Sequence, residues 1–271
     1  MASITTTDAV RLDYTETGPV TGRPIVLLAG FRAAAATWLF QVDELADAGY
    51  RVIAVDIRGH GTADHPDFGH SMQRRGADVS DVLEALDLHD VVLVGQSMGG
   101  NTVWAYLDEF GAKRVSGVVI IDQTPKMLNT TDWPHGFYGY DESNVETYFT
   151  EGIPKTGRGT PLWRRGGRLR RLLTAVRSAP AEPRQLSIGE LELLSDHVHR
   201  DWRAVIAKTT VPVLFLAGEF SEVWPSSHAA ASAALTTSGS SAVIRKAGHA
   251  TNIEQPAEFN RRLREFIATL R

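Results

Sequence analysis

The sequence contains no cysteine. Disulfides, thiolate metal sites and a thiol nucleophile are thereby excluded, while the redox compartment is left open. A marked excess of either charge is missing too, since 28 Lys and Arg stand against 32 Asp and Glu for a formal charge of -4. Such a balance gives no general attraction to nucleic acid or acidic membranes, and neither is expected as a partner. No run approaches the roughly 18 apolar residues that a membrane span needs. The opening stretch MASITTTDAVRLDYTETG also lacks a basic start followed by an apolar segment. A soluble, cytoplasmic protein is the expectation.

What is present is globular composition, with 43% hydrophobic residues across 271 positions, enough for one large α/β domain carrying an inserted lid. Apolar runs recur as PIVLLAG (24–30), RVIAVDI (51–57), DVVLVGQ (90–96), VSGVVIID (115–122), VPVLFLAG (211–218) and SAVIRKA (241–247). Continuous runs of this length suit strands buried on both faces. Helical patterns alternate with them in TWLFQVDELADAG, QRRGADVSDVLEALDL, NTVWAYLDEFG and PAEFNRRLREFIATLR. That alternation implies right-handed crossovers and a doubly wound, mostly parallel sheet. The rhythm breaks after Asp122, where almost ninety residues pass without a buried-strand signal. The expected organisation is a core of residues 1–122 and 209–271 with a helical cap over 123–208. Within that cap, 155–177 carries eight basic residues and no acidic one, for which a solvated helix face or loop is a plainer reading than an anion site.

The stretch VVLVGQSMGGNTVWAYL sets Ser97 in a Gly-x-Ser-x-Gly turn directly after a strand and before a helix. A sharp turn there projects the hydroxyl above the sheet, and the Met98 amide, at the helix start, is aimed at the same point as an oxyanion donor. GQSMGG, the earlier LLAGF, the VDIRGHG turn and the late AGHATNIEQPAEF together resemble the α/β-hydrolase superfamily, in the family's order and over nearly the whole chain outside the cap. The resemblance implies the fold and, from the loop AGFRAAAATW, a second oxyanion donor in the Phe31 amide. It departs from the pattern at Ala29, where the family usually has His. Arg32 in the same loop is placed to meet an anionic substrate group, with a surface Arg as the plainer alternative.

His249, after the last strand and before the terminal helix, stands where the family has its general base; an imidazole titrating near ~6.5 can take the serine proton and return it. Its carboxylate partner is less plain. LAGEFSEVWP (216–225) has Ser221 where the family usually carries the acid. Asp122, closing the strand after the nucleophile helix, is favoured, because some relatives carry the acid there; Glu222 is the alternative. Aromatics just beyond Asp122, notably Trp133, Phe137 and Tyr138, with Trp224 near the missing acid, suggest an apolar pocket.

The reading is a serine hydrolase of a moderately sized apolar or aromatic ester or lactone, using Ser97, His249 and Asp122. Thioester or carbon–carbon bond hydrolysis stays within reach of the same groups. A lyase or cyclase on the same scaffold, or a ligand-binding receptor, are the rivals from other classes. A small-molecule substrate is expected, with no cofactor and no metal, since His197 and His199 in DHVHRD lack a third ligand. A monomer or homodimer is expected.

Overall fold

Eight strands join in one sheet in a computed structural model of the chain, which describes residues 1–181, 183 and 185–270. They are β1 (Ala2–Thr5), β2 (Arg11–Thr17), β3 (Pro24–Leu28), β4 (Arg51–Asp56), β5 (Val91–Gln96), β6 (Val115–Ile121), β7 (Val213–Gly218) and β8 (Gly239–Ile244). Their order across the sheet is β1-β2-β4-β3-β5-β6-β7-β8. From β4 to β8 every neighbouring pair is parallel, whereas β1 and β2 pair antiparallel and β2 meets β4 antiparallel. The six apolar runs are the six parallel strands. The hairpin of β1 and β2 does not stand out in the sequence, because much of it is solvent-facing and its residues are largely polar.

Alternation along each inner strand feeds two cores. Ile25 and Leu27 of β3 join Val92, Val94, Phe259 and Leu263 on one face, while Val26 and Leu28 join Leu93, Val103 and Trp104 on the other. The covering helices are α1 (Val42–Asp47), α2 (Met72–Ala85) and α3 (Met98–Phe110), followed in the insert by α4 (Gly167–Ser178), α5 (Ile188–His199) and α6 (Arg203–Lys208), and after β7 by α7 (Ser227–Ala233), α8 (Thr251–Glu254) and α9 (Pro256–Ala268). Among the described residues no helix is long and apolar enough to cross a membrane.

The insert between β6 and β7 is helical only in its second half. Residues 123–161 run as turns and isolated bridges, and the helices of the expected cap follow them. Side-chain bonding explains the difference: Asn129 Nδ2 donates to the carbonyls of Phe137 (2.6 Å) and Tyr140 (2.9 Å), offering the backbone an alternative to helix. The insert leaves and re-enters the core side by side, with a bridge between Lys126 and Asp201 and a bond from the Trp202 amide to the Pro125 carbonyl. Its basic stretch divides: Lys155, Arg158, Arg164, Arg170 and Arg177 are exposed, and three arginines are docked on the core. Arg165 pairs with Glu222 at 2.6 Å, Arg168 with Glu254 at 3.3 Å, and Arg171 caps the Glu254 carbonyl.

Candidate active site

Because the strands from β4 to β8 are parallel, their carboxyl ends open on one edge, where loops can converge. Ser97 lies between β5 and α3 with φ 54° and ψ -130°. A residue with a side chain rarely adopts this conformation, at a cost on the order of 1–3 kcal/mol. The turn is held by a bond from the Ser97 amide to the Ile121 carbonyl (2.9 Å) and one from the Gly100 amide to the Ser97 carbonyl (2.7 Å). Two glycines make room for it. A Cβ at Gly95 would overlap the Gly99 carbonyl oxygen, and one at Gly99 would overlap that of Leu28. The small residues flanking the serine are therefore a steric requirement.

The loop after β3 passes directly against this turn, since a Cβ on Gly30 would sit 2.9 Å from the Cβ of Ser97. Phe31 follows Gly30, and the turn closes with the Ala33 amide on the Gly30 carbonyl at 3.1 Å. Met98 is the first residue of α3, so its N–H has no acceptor within the helix. Both amides that the sequence nominates as oxyanion donors are thus one residue from the contact between loop and serine.

Asp122 follows β6 with φ 44° and is fully buried. Donors surround it. Oδ2 accepts from His249 Nδ1 at 2.7 Å and from Ser221 Oγ at 2.6 Å, and Oδ1 accepts from the Gly218 amide at 2.7 Å. His228 Nε2 faces Oδ1 from 3.5 Å, beyond hydrogen-bond geometry. Burial pushes the Asp122 carboxyl up, but the His228 and His249 imidazoles beside it outweigh burial and bring it down to about 2. An ionised Oδ2 fixes the proton of His249 on Nδ1, which leaves Nε2 as the free acceptor.

Glu222, the alternative acid, does not meet the imidazole. Its Oε2 accepts from the His249 backbone amide at 2.9 Å, and its Oε1 from Arg165 at 2.6 Å. Ser221, in the slot without a carboxylate, lends its hydroxyl to Asp122 instead. Ser221, His228 and the Gly218 amide were not foreseen as parts of the site. Only Ser221 left a trace in the sequence, as the odd residue after β7.

The aromatic residues divide. Trp224 meets His249 edge-on with ring centroids 5.3 Å apart, and also touches His228 and Phe137. Phe137 stands one layer back, packed on Tyr148 and Phe149. Trp133 is buried in the insert, donating Nε1–H to Thr124 Oγ1 at 3.0 Å, and Tyr138 carries the Arg158 guanidinium on its face. Arg32, at φ 56°, is engaged by the insert: it pairs with Glu190 at 3.0 Å and bonds the Pro183 carbonyl. Among the described residues no group of three His, Asp or Glu side chains could hold a metal.

A profile of the alpha/beta hydrolase fold matches residues 23–256. A non-heme chloroperoxidase of Streptomyces lividans is 38% identical over 132 residues, 49% of this chain and 48% of that protein. The chain spans about half the length of the first curated relatives it matches. Among solved structures, a bromoperoxidase from Bacillus anthracis has 27% identity and a TM-score of 0.80, over 98% of this chain and 100% of that one. An esterase from Exiguobacterium antarcticum, at 21% identity, has a TM-score of 0.79 over 99% of both chains, a likeness of fold.

Proposed function

The chain belongs to the alpha/beta hydrolase fold family, and from that premise we propose that it is a serine hydrolase of carboxylic esters or lactones. The observation that carries this reading is the 2.7 Å bond between His249 Nδ1 and the buried, ionised Asp122, with the His249 carbonyl 3.4 Å from the side-chain amide of Gln96, next to the strained Ser97. Ser97 Oγ attacks the substrate carbonyl while His249 Nε2 takes its proton. Asp122 holds the imidazole in the required tautomer and stabilises the imidazolium. The Phe31 and Met98 amides receive the oxyanion, an interaction typically worth about 3 kcal/mol per donor. His249 then protonates the leaving group, and water cleaves the acyl-enzyme by the reverse proton path. Trp224, against the imidazole, favours an apolar portion of substrate next to the reacting carbonyl.

The likeness to a chloroperoxidase favours a second reading in which hydrogen peroxide, not water, accepts the acyl group. Peracid formation from an acetate ester and peroxide, measured beside hydrolysis, separates the two acceptors.

Ser97→Ala tests the shared step. The expected result is a loss of esterase activity by about three orders of magnitude or more, with loss of covalent labelling by an alkyl fluorophosphonate. Full activity in that variant would end the proposal.

A further inference from the structure

A cavity of about 740 Å³ opens between the loop after β4, the start of α2 and residues 180, 181, 183, 185–190 and 193 of the insert. Its wall includes Arg58, His60 and Arg75 of the core, and the two arginines are treated very differently. Arg58 is bonded by both oxygens of Asp78 at 2.7 Å and by Asp8 at 2.9 Å. Arg74 takes a further share of Asp78, at 3.1 Å. Arg75, with 1% of its surface exposed, has only neutral partners: Nε donates to Thr102 Oγ1 at 3.0 Å, and Nη1 lies 3.3 Å from His60 Nδ1. Among the described residues no carboxylate lies within 4.0 Å of its guanidinium.

Two more buried polar atoms nearby lack partners. His60 Nδ1 already faces the Arg58 carbonyl at 3.0 Å, and its Nε2 has no hydrogen bond; neither has Nδ1 of His197 on α5, whose charged form the Arg75 guanidinium opposes. Asp78 acts on Arg75 only through space, its oxygens being bonded by Arg58 and Arg74; a buried cation with no directly bonded counter-ion is unfavourable, and so are orphaned ring nitrogens around it. An anion entering the cavity would relieve both. The other carboxylates on the wall do not fill that role, since Glu190 is paired with Arg32 and Asp67 is solvent-exposed.

The cavity wall also touches residues proposed for the reaction centre. Phe31, whose amide is one oxyanion donor, meets the His60 ring edge-on at 6.1 Å. Thr102, which holds Arg75, bonds the carbonyl of Met98, the other oxyanion residue, at 3.1 Å. We propose that Arg75 is the specificity determinant of this enzyme: the cavity takes a carboxylate-bearing arm of the ester or lactone, and the guanidinium is its counter-charge. This rests on the hydrolase reading above. A planar guanidinium can bind a carboxylate through two parallel bonds, which a neutral arm cannot reproduce.

The test compares kcat/KM for mono-4-nitrophenyl adipate and 4-nitrophenyl hexanoate, two aryl esters of equal acyl length that differ in the terminal carboxylate. The parent protein is expected to favour the adipate by about tenfold or more at low salt. Arg75→Met is expected to bring the ratio of the two to about one or below, and Arg75→Lys to keep part of the preference. The ratio is read within each variant, so a general loss of active protein cancels. A parent that cleaves both esters equally, or prefers the hexanoate, overturns the assignment of Arg75 and leaves the hydrolase intact. A parent that cleaves neither ester faster than the Ser97→Ala protein overturns the hydrolase reading, and the assignment falls with it.

Discussion

Replacing Asp122 by Asn probes the proposed chemistry most directly. Every group around the carboxylate in a bonding position is a donor: the Gly218 amide on Oδ1, and Ser221 Oγ and His249 Nδ1 on Oδ2. An Asn side chain offers one oxygen and one NH₂, so one side must present N–H to N–H. The Gly218 amide is fixed in the backbone and demands the oxygen. The NH₂ then faces His249, which must turn its Nδ1 lone pair inward and carry its proton on Nε2, where it cannot accept from Ser97. The expected loss in kcat is about 10³–10⁴-fold, the size of such a tautomer error in a related constellation. Glu222→Gln keeps an oxygen for the His249 amide and loses only the ion pair with Arg165, away from the imidazole, so a change within about tenfold is expected. Both variants are read as kcat and kcat/KM on a short-chain aryl ester, with near-ultraviolet circular dichroism as a check on folding. A folded Asp122→Asn protein within tenfold of the parent, or a Glu222→Gln protein as damaged as Asp122→Asn, would refute this reasoning.

Other outcomes follow from the same structure. Ser221→Ala withdraws one of the donors on Asp122 Oδ2; about 1 kcal/mol of support is lost, and kcat should fall about three- to tenfold, far less than for Asp122→Asn. Gly99→Ala drives a methyl into the Leu28 carbonyl, so a destabilisation of about 1–3 kcal/mol should appear as a Tm several degrees lower, and an unchanged Tm would contradict the steric account. Burial and the Arg75 charge lower His197 from the ordinary 6.5 to about 3. It is therefore neutral in the folded protein, and its unfolded form gains a proton first: the associated stability is present above about pH 6.5 and drains away as pH falls toward 3. His197→Leu should flatten the fall of urea-derived stability over that window by up to about 1.4 kcal/mol per pH unit, and an unchanged slope would count against a buried neutral imidazole.

How much of this is legible in the sequence depends on how many faces each segment buries. The parallel strands β3 to β7 are legible because sandwiched strands are written as continuous apolar runs such as VVLVG. The hairpin β1–β2 is made of short, largely polar segments with few buried positions and carries no such mark. The serine turn is legible because its constraint is local: two glycines four positions apart. The partner of His249 is not local. Asp122 and Glu222 lie 127 and 27 positions from His249 along the chain, and sequence spacing cannot tell which carboxylate meets the ring and which the backbone amide. The turns of the aromatic part of the insert are not legible, because ring density says nothing of the Asn129 bonds that organise them. Arg75 was passed over for a related reason: RRGADVSD reads as a charged helix face, and only the packing shows that Asp78 serves its neighbours.

The ladder of the sheet explains why the strained positions can be held at all. Beyond the regular end of β5, the Ser97 amide still bonds the Ile121 carbonyl of β6; beyond β6, the Asp122 amide bonds the Leu216 carbonyl of β7 at 2.6 Å; beyond β7, the Glu219 amide bonds the Ile244 carbonyl of β8 at 3.1 Å. The loops that bear Ser97, Asp122 and Ser221 are each hung on the next strand, so the relative positions of these groups are set by inter-strand spacing and not by the loops' own preferences. A left-handed φ at Ser97 or Asp122 costs on the order of 1–3 kcal/mol, and escape from it would break a ladder bond buried between two packed faces. The same coupling accounts for an acid on β6. Asp122 hangs from β7 beside Gly218 and Ser221, so it arrives where a carboxylate on the β7 loop would otherwise stand, and the residue at that slot is free to become a donor.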